Sequence, residues 1–194
     1  MHKITVKQEV FTSQDIDTIS LDGNIADVTI VQSKSNEFKI SQFSMKNIEK
    51  SMEYQTELNN GDLHIKDNSA QVNWFMGIKG SAGISYEIQV PVDKAVELNI
   101  SMNKGNLNIT NGIFKSLDIA INKSGNINLT NVTLGAASEI YTYAGNIDVK
   151  FNSDSSNIMV NAIAMSGDKT IDDKYLQGKY QLNIKSDKGN ITVK

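Results

Sequence analysis

Nucleophilic catalysis needs a base held against the nucleophile, and the chain offers few bases. Its histidines are His2, near the first residue, and His64. His64 stands between Leu63 and Ile65, so a strand there turns it outward as a surface side chain. The absence of cysteine removes thiolate nucleophiles, disulfides and zinc–thiolate sites together. Every basic residue is lysine, so bidentate reading of phosphate, carboxylate or guanine is missing. Paired carboxylates are the remaining route. Asp118, Glu139 and Asp148 could approach one another on stacked strands, as in a polysaccharide-acting enzyme, although they fall on different strand columns or corners. Asp148, Asp168, Asp172 and Asp173 also read as a solvated rim, because the repeated G-G-x-G-x-D phrase of calcium-binding β-rolls is absent. No phosphate loop and no metal-spaced cluster is visible. The sequence therefore assigns no catalytic residue, no cofactor and no metal, and the expectation is a protein that is not an enzyme.

Two apolar features are candidate binding elements instead. Trp74, Phe75, Met76 and Ile78 crowd large side chains into a short stretch among Gly77, Gly80 and Gly83. This loop either folds back over the core or serves as an anchor for a partner, a membrane interface or a second copy. Tyr141 and Tyr143 flank Thr142, and both point outward if Ile140 and Thr142 point inward. Exposed aromatics there either pack across neighbouring strands or stack on sugar rings.

The chain that must position these residues has 194 residues, enough for one ordinary domain. Hydrophobic residues at 39% and charged residues at 21% can build a core. A formal net charge of -3 gives no positive field for nucleic acid or an anionic membrane. No apolar run is long enough to cross a membrane as a helix. The opening MHKITVKQEV alternates and does not form an apolar signal-peptide core, so the sequence leaves the cytoplasm open and does not fix the compartment.

The second half repeats. Gly105-Asn106-Leu107, Gly125-Asn126-Ile127 and Gly145-Asn146-Ile147 recur every 20 residues, and Gly189-Asn190-Ile191 returns later. A degenerate Ser166-Gly167-Asp168 fills the gap at spacings of 22. Each copy follows a second alternating run: Val96–Ile100, Leu117–Ile121, Glu139–Thr142, Ile158–Val160 and Tyr180–Ile184. Period-two alternation with β-branched residues means half-buried strands. A two-strand unit cannot bury its apolar face alone, and stacked units can. The expected fold is all-β: a right-handed parallel β-solenoid, or β-helix, of about 20–22 residues per coil. Leu107, Ile127 and Ile147 would stack in one interior column. The Gly-Asn steps are its corners, where positive φ favours glycine. The asparagines either exchange hydrogen bonds along the stack or form a ligand-binding row.

Residues 1–90 also read as strands, at irregular spacing: Lys3–Phe11, Ile16–Leu21, Asn24–Val31, Glu37–Phe43, Tyr54–Leu58, Leu63–Lys66 and Ile84–Val90. Ser44–Ser51 reads as a loop or one helical turn, and Pro91 ends a strand. No linker separates the halves. The expectation is one domain over 1–194, with 1–90 an irregular capping part and 91–194 the regular repeats.

The run Ile84–Pro91, followed by Leu98-Asn99-Ile100 and serial Gly-Asn-Ile-x-apolar phrases, resembles the bacterial "putative adhesin" domain of unknown function. Gly61–Lys66 and the Asn73-Trp74-Phe75 loop match the same layout. The resemblance implies a β-solenoid of envelope-associated bacterial proteins with no established catalytic residues. It places the protein at the cell surface or envelope. The leading functional expectation is a non-enzymatic adhesin-like binding module, its partner a cell-surface glycan or another envelope protein. The alternative is a protein-interaction scaffold or regulator in an envelope-stress response. Self-association through the Trp74 loop belongs to the same set of expectations.

Overall fold

The computed structural model describes residues 3–69, 83–152 and 157–194. Among them the regular elements are strands, with three short 3-10 turns at Ser13–Asp15, Lys50–Met52 and Asp173–Tyr175. The strands are β1 Ile4–Thr12, β2 Thr18–Ile25, β3 Asp27–Ser33, β4 Glu37–Ser44, β5 Gln55–Asn59, β6 Asp62–Lys66, β7 Ser85–Pro91 and β8 Val96–Lys104. They continue as β9 Leu107–Ser124, β10 Ile127–Leu134, β11 Ser138–Ala144, β12 Ile147–Phe151, β13 Ile158–Ala164, β14 Lys169–Ile171, β15 Tyr180–Lys188 and β16 Ile191–Val193. The seven strands read in the first half are all present, the Ser44–Ser51 segment is largely loop with a 3-10 turn at its end (Lys50–Met52), and β7 ends on Pro91.

These strands form one mixed sheet that curls over a common core. One ladder runs β5–β6–β2–β8–β9–β11–β15–β13; the other runs β1–β4–β7–β3–β9–β10–β12–β16–β14. Strand β9 belongs to both, because 107–114 pair with β3 and β10 while 116–124 pair with β8 and β11. It changes direction near Asn111 (φ 55°), and Asn131 (φ 58°) does the same in β10. Asparagine tolerates this left-handed conformation better than most residues. The Asn131 amide donates to Asn111 Oδ1 at 2.6 Å, so the two bends support each other.

Alternation puts every second side chain into the core. Val28, Leu107, Ile127, Ile147 and Ile191 stand opposite one another in parallel register, all at most 1% exposed. The expected Leu107–Ile127–Ile147 column is present within this longer one. On the other ladder Ile65, Leu21, Ile100, Ile119, Ile140, Ile184 and Ala162 form a matching column. Each fully buried Ile or Leu contributes about 1.5–3 kcal/mol.

Two features differ from the sequence expectation. The two-strand units do not stack in chain order. Unit β15–β16 lies between β11–β12 and β13–β14, and unit β2–β3 lies between β6–β7 and β8–β9. Residues 18–33 are therefore part of the parallel stack and not of a cap, because their alternation and length match the units on either side. The ladders are also not wholly parallel. Strands β1 and β4 continue beyond β7 antiparallel, and β5 folds back on β6 antiparallel. They close that end of the core over Phe38, Tyr54 and Tyr86, with the tyrosine rings edge-to-face at 5.9 Å.

Candidate functional site

The corners are built by contact between chain segments. A Cβ on Gly105 would lie 1.9 Å from the Ala26 carbonyl oxygen, and one on Gly125 would lie 1.9 Å from that of Gly105. The same holds for Gly145 over Gly125 (2.1 Å), Gly189 over Gly145 (2.0 Å) and Gly167 over Gly189 (2.3 Å). Gly105 (φ 126°) and Gly145 (φ 156°) do adopt positive φ, whereas Gly125 and Gly189 do not. The expectation that positive φ selects glycine at each corner is corrected accordingly: close approach of stacked backbones selects it.

The residue after each glycine forms a second column. Asn106 N–H donates to Asp27 Oδ1 (2.8 Å), Asn126 N–H to Asn106 Oδ1 (3.0 Å) and Asn146 N–H to Asn126 Oδ1 (2.8 Å). Asn190 N–H then donates to Asn146 Oδ1 and Asp168 N–H to Asn190 Oδ1, both at 2.9 Å. The side-chain oxygens that a ligand row would need are spent on the next unit's backbone. Inward hydroxyls finish the corners, with Thr142 donating to the Gly125 carbonyl and Ser186 to the Gly145 carbonyl, each at 2.9 Å.

The outward face of the first ladder carries the candidate site. Register places Ser20 beside His64 and Asn99, Asp22 beside Lys66 and Ser101, and Ala120 beside Ser101 and Tyr141. Small side chains in the middle of this face leave a shallow trough of about 270 Å³, lined by Ser20, Asp22, His64, Asn99, Ser101, Asp118 and Ala120. Glu139 follows Asp118 in the same row. The trough thus offers carboxylates and an amide as hydrogen-bonding groups, with the His64 imidazole on one bank.

Tyr141 stands next to the trough, as the register neighbour of Ala120. Ile140 and Thr142 are buried, Tyr141 is half-buried and Tyr143 is 39% exposed, so both tyrosines point outward. The Tyr141 hydroxyl donates to Asp187 Oδ2 at 3.1 Å, and the Lys185 ammonium lies 5.5 Å from its ring centroid. Partial burial and the Asp187 carboxylate push the phenol's pKa up. The Lys185 ammonium, 3.0 Å from Asp187, holds that carboxyl below its ordinary range. Lys188 stands 4.9 Å from the Tyr143 ring. Tyr141 is thereby fixed as an aromatic platform beside the floor of Ala120 and Ser101.

The structure separates the acids considered for catalysis. Asp118 and Glu139 share a row, but Asp148 pairs with Asn128 and Thr192 on the other ladder. His64 has Ser20 and Glu57 as register neighbours. Among the described residues no three His, Asp or Glu side chains are grouped to hold a metal ion, and no helix is long and apolar enough to cross a membrane. Trp74, Phe75 and Met76 lie outside the described residues.

Sequence reading missed Ser20, Asp22, Asn99 and Ser101 because each looks like an ordinary outward polar residue. Their common signal is small size at one height on adjacent units, and Ser20 joins them only through the displaced β2. It also missed a buried carboxylate. Asp67, 8% exposed, accepts from Ser69 N–H and Oγ, the Tyr86 hydroxyl and Asn24 N–H at 2.6–3.0 Å. It ties together the chain around residues 24, 69 and 86, and burial beside this carboxylate pushes the Tyr86 phenol far above its ordinary pKa.

Comparison with known proteins agrees with this architecture. The family model described as Toastrack DUF4097 matches residues 16–114 and again 82–194. A solved structure of a "putative cell adhesion protein" from Clostridium sporogenes superposes with a TM-score of 0.70 at 14% identity, over 96% of this chain and 98% of that one. Two others align over nearly their full lengths with lower superposition. A "putative adhesin" from Bacteroides fragilis has 13% identity and a TM-score of 0.47, covering 100% of this chain and 97% of that one. A "putative lipid binding protein" from Parabacteroides distasonis has 14% identity and a TM-score of 0.30, covering 97% and 96%. No curated protein matches the chain. With matches spanning nearly its whole length, the chain belongs to the Toastrack DUF4097 family.

Proposed function

We propose that the protein is a non-enzymatic binding module of the bacterial cell envelope, and that a glycan chain rests in the trough beside Tyr141. The observation that carries this reading is the pairing of a fixed aromatic platform with a floor of small side chains and a rim of Asp22, Asp118 and Asn99. A sugar ring presents C–H groups on its face and hydroxyls at its edge. The first suit an aromatic plane, and the second suit carboxylates and amides. The trough is open and shallow, which suits an extended polymer better than an enclosed small molecule. The name of the Clostridium sporogenes structure supports an adhesive role by likeness of fold. The parallel 20-residue registers support reading the stack as a right-handed β-solenoid with two units out of chain order. The shared core supports treating 1–194 as one domain.

A glycan array with the whole chain tests the proposal. Binding without release of cleaved product is the expected result, and Tyr141→Ala or the trough-filling Ser101→Phe should abolish it while the fold persists. Binding that survives both substitutions would remove the trough from the site. Turnover of a polysaccharide would replace the module with an enzyme.

A further inference from the structure

The two ends of the stack differ. At the end formed in part by residues 3–17 and 34–61, the outermost strands are β1 and β5. They run antiparallel, carry Lys7, Glu9 and Glu57, and β1 contains a register shift between Thr5 and Lys7. Charge and bulges are how proteins blunt an edge against further pairing. At the other end the outermost strands are β13 and β14, each paired on one side only among the described residues. Strand β13 reads IMVNAIA, with no charge and no proline, in a chain that is 21% charged. The three most exposed large apolar side chains of the described surface belong to β13 and the segments that follow it: Ile163 (59%), Met165 (64%) and Leu176 (57%). Asp168 is the last rung of the corner column, and its side chain receives no following N–H among the described residues. Tyr175 plugs the core beneath, its ring 5.0 Å from Phe151, while among the described residues no strand pairs with the outer side of β13. The Lys169 ammonium reaches the Ala162 carbonyl at 3.4 Å, a solvent-side contact that can swing away.

We propose that the β13 edge is the docking surface for a second copy of this chain, joined tail to tail by antiparallel β13–β13 pairing across a twofold axis. Three observations select this occupant. A copy in head-to-tail orientation would have to present the β1–β5 end, which is antiparallel, charged and bulged, so an open filament is disfavoured and a closed pair is not. The strand is nearly symmetric about Asn161. Antiparallel pairing there sets Asn161 opposite its own copy and Met159 opposite Ile163, which covers the exposed isoleucine with an apolar cross-strand partner. The flanking segment 168–179 balances three aspartates with three lysines, so two copies meet without a like-charge barrier. The interface is small, which makes the dimer weak and concentration-dependent. The proposal is independent of the glycan reading, because the trough lies on the sheet face and not at its edge.

Sedimentation of the full chain over a dilution series tests it. The expected result is a monomer–dimer equilibrium that Ile163→Lys shifts to monomer at every concentration, with a melting temperature equal to that of the native chain at dilutions where both are monomeric, because residue 163 is exposed there. Asn161→Cys introduces the chain's one cysteine at the twofold position, where opposed Cα atoms fall within disulfide range. Mild oxidation should then convert it to a covalent dimer, while Asn99→Cys, on the trough face, should form no covalent dimer and keep the reversible equilibrium. A monomer at all concentrations overturns the proposal. So does a dimer that survives Ile163→Lys without Asn161→Cys cross-linking, and so does growth beyond a dimer.

Discussion

At the scale of single residues, the stacked corners set the most severe constraint. A methyl group on Gly125 would need the Gly105 carbonyl to move, and that carbonyl is backbone already locked between units. Gly125→Ala should therefore cost about 3 kcal/mol, the upper range for overpacking. That is a melting-temperature loss of roughly 6–12 °C for a chain of this size. Ser124→Ala, one residue away and exposed, should stay within about 0.5 kcal/mol. Equal melting curves for the two variants would contradict the corner geometry. The buried phenols set a second constraint. Burial raises the pKa of Tyr54 and Tyr86 well above the ordinary value of 10.0. In the unfolded chain both phenols release protons near pH 10, while the folded chain holds them. Stability is then intact below pH 10 and falls as pH rises above it, by about 1.4 kcal/mol per pH unit for each phenol. Absorbance titration should find Tyr54 and Tyr86 ionising only as the protein unfolds. Their smooth titration in a folded chain would contradict the burial.

At the scale of elements, the displaced unit β15–β16 is the central test. It fills the gap between β11–β12 and β13–β14, and it supplies the Asn190 rung between Asn146 and Asp168. A chain ending at residue 179 should lose more than its last unit. With no β15 to pair with, β13 and β14 should detach as well, and proteolysis should trim the chain back to about residue 152. A truncated chain that melts within a few degrees of the whole would show that the order of units is wrong. Much of this level was legible. Period-two alternation located the strands, and the Gly-Asn spacing located the corners. The order of units was not, because spacings of 22 from Gly145 to Gly167 and from Gly167 to Gly189 read as a sequential stack. What decides is pairing capacity. Strand β15 has nine residues and leads into a complete Gly189-Asn190 corner, so its unit serves two neighbours, whereas β13 has seven and leads into the degenerate Gly167-Asp168 corner, so its unit fits at an edge. The trough was illegible for the same reason, since it needs β2 between β6 and β8.

At the scale of the whole molecule, the displaced units change how the stack comes apart. In a stack built in chain order each unit touches only its sequence neighbours, and the chain ends fray first. Here the last residues are interior: β16 lies between β12 and β14, and Lys194 N–H donates to the Val149 carbonyl at 2.9 Å. The front of the chain repeats the device, with β2 held between β6 and β8. Both displaced units are thus clamped by segments distant in sequence, while β1 at the front stays on the edge. Opening either one must break two parallel ladders together, which favours a single cooperative transition over stepwise fraying. Native-state hydrogen exchange resolves the difference. The amides of Ile184 and Ile191 should exchange more slowly than that of Val160, although they are nearer the C-terminus, because β13 is paired on one side and β15 on both. Amides near Ile127 and Ile147 should exchange only by global unfolding. Protection that declines steadily from residue 138 to residue 194 would mean that the stack follows chain order after all, and the clamp, the Asn190 rung and the open β13 edge would all have to be abandoned with it.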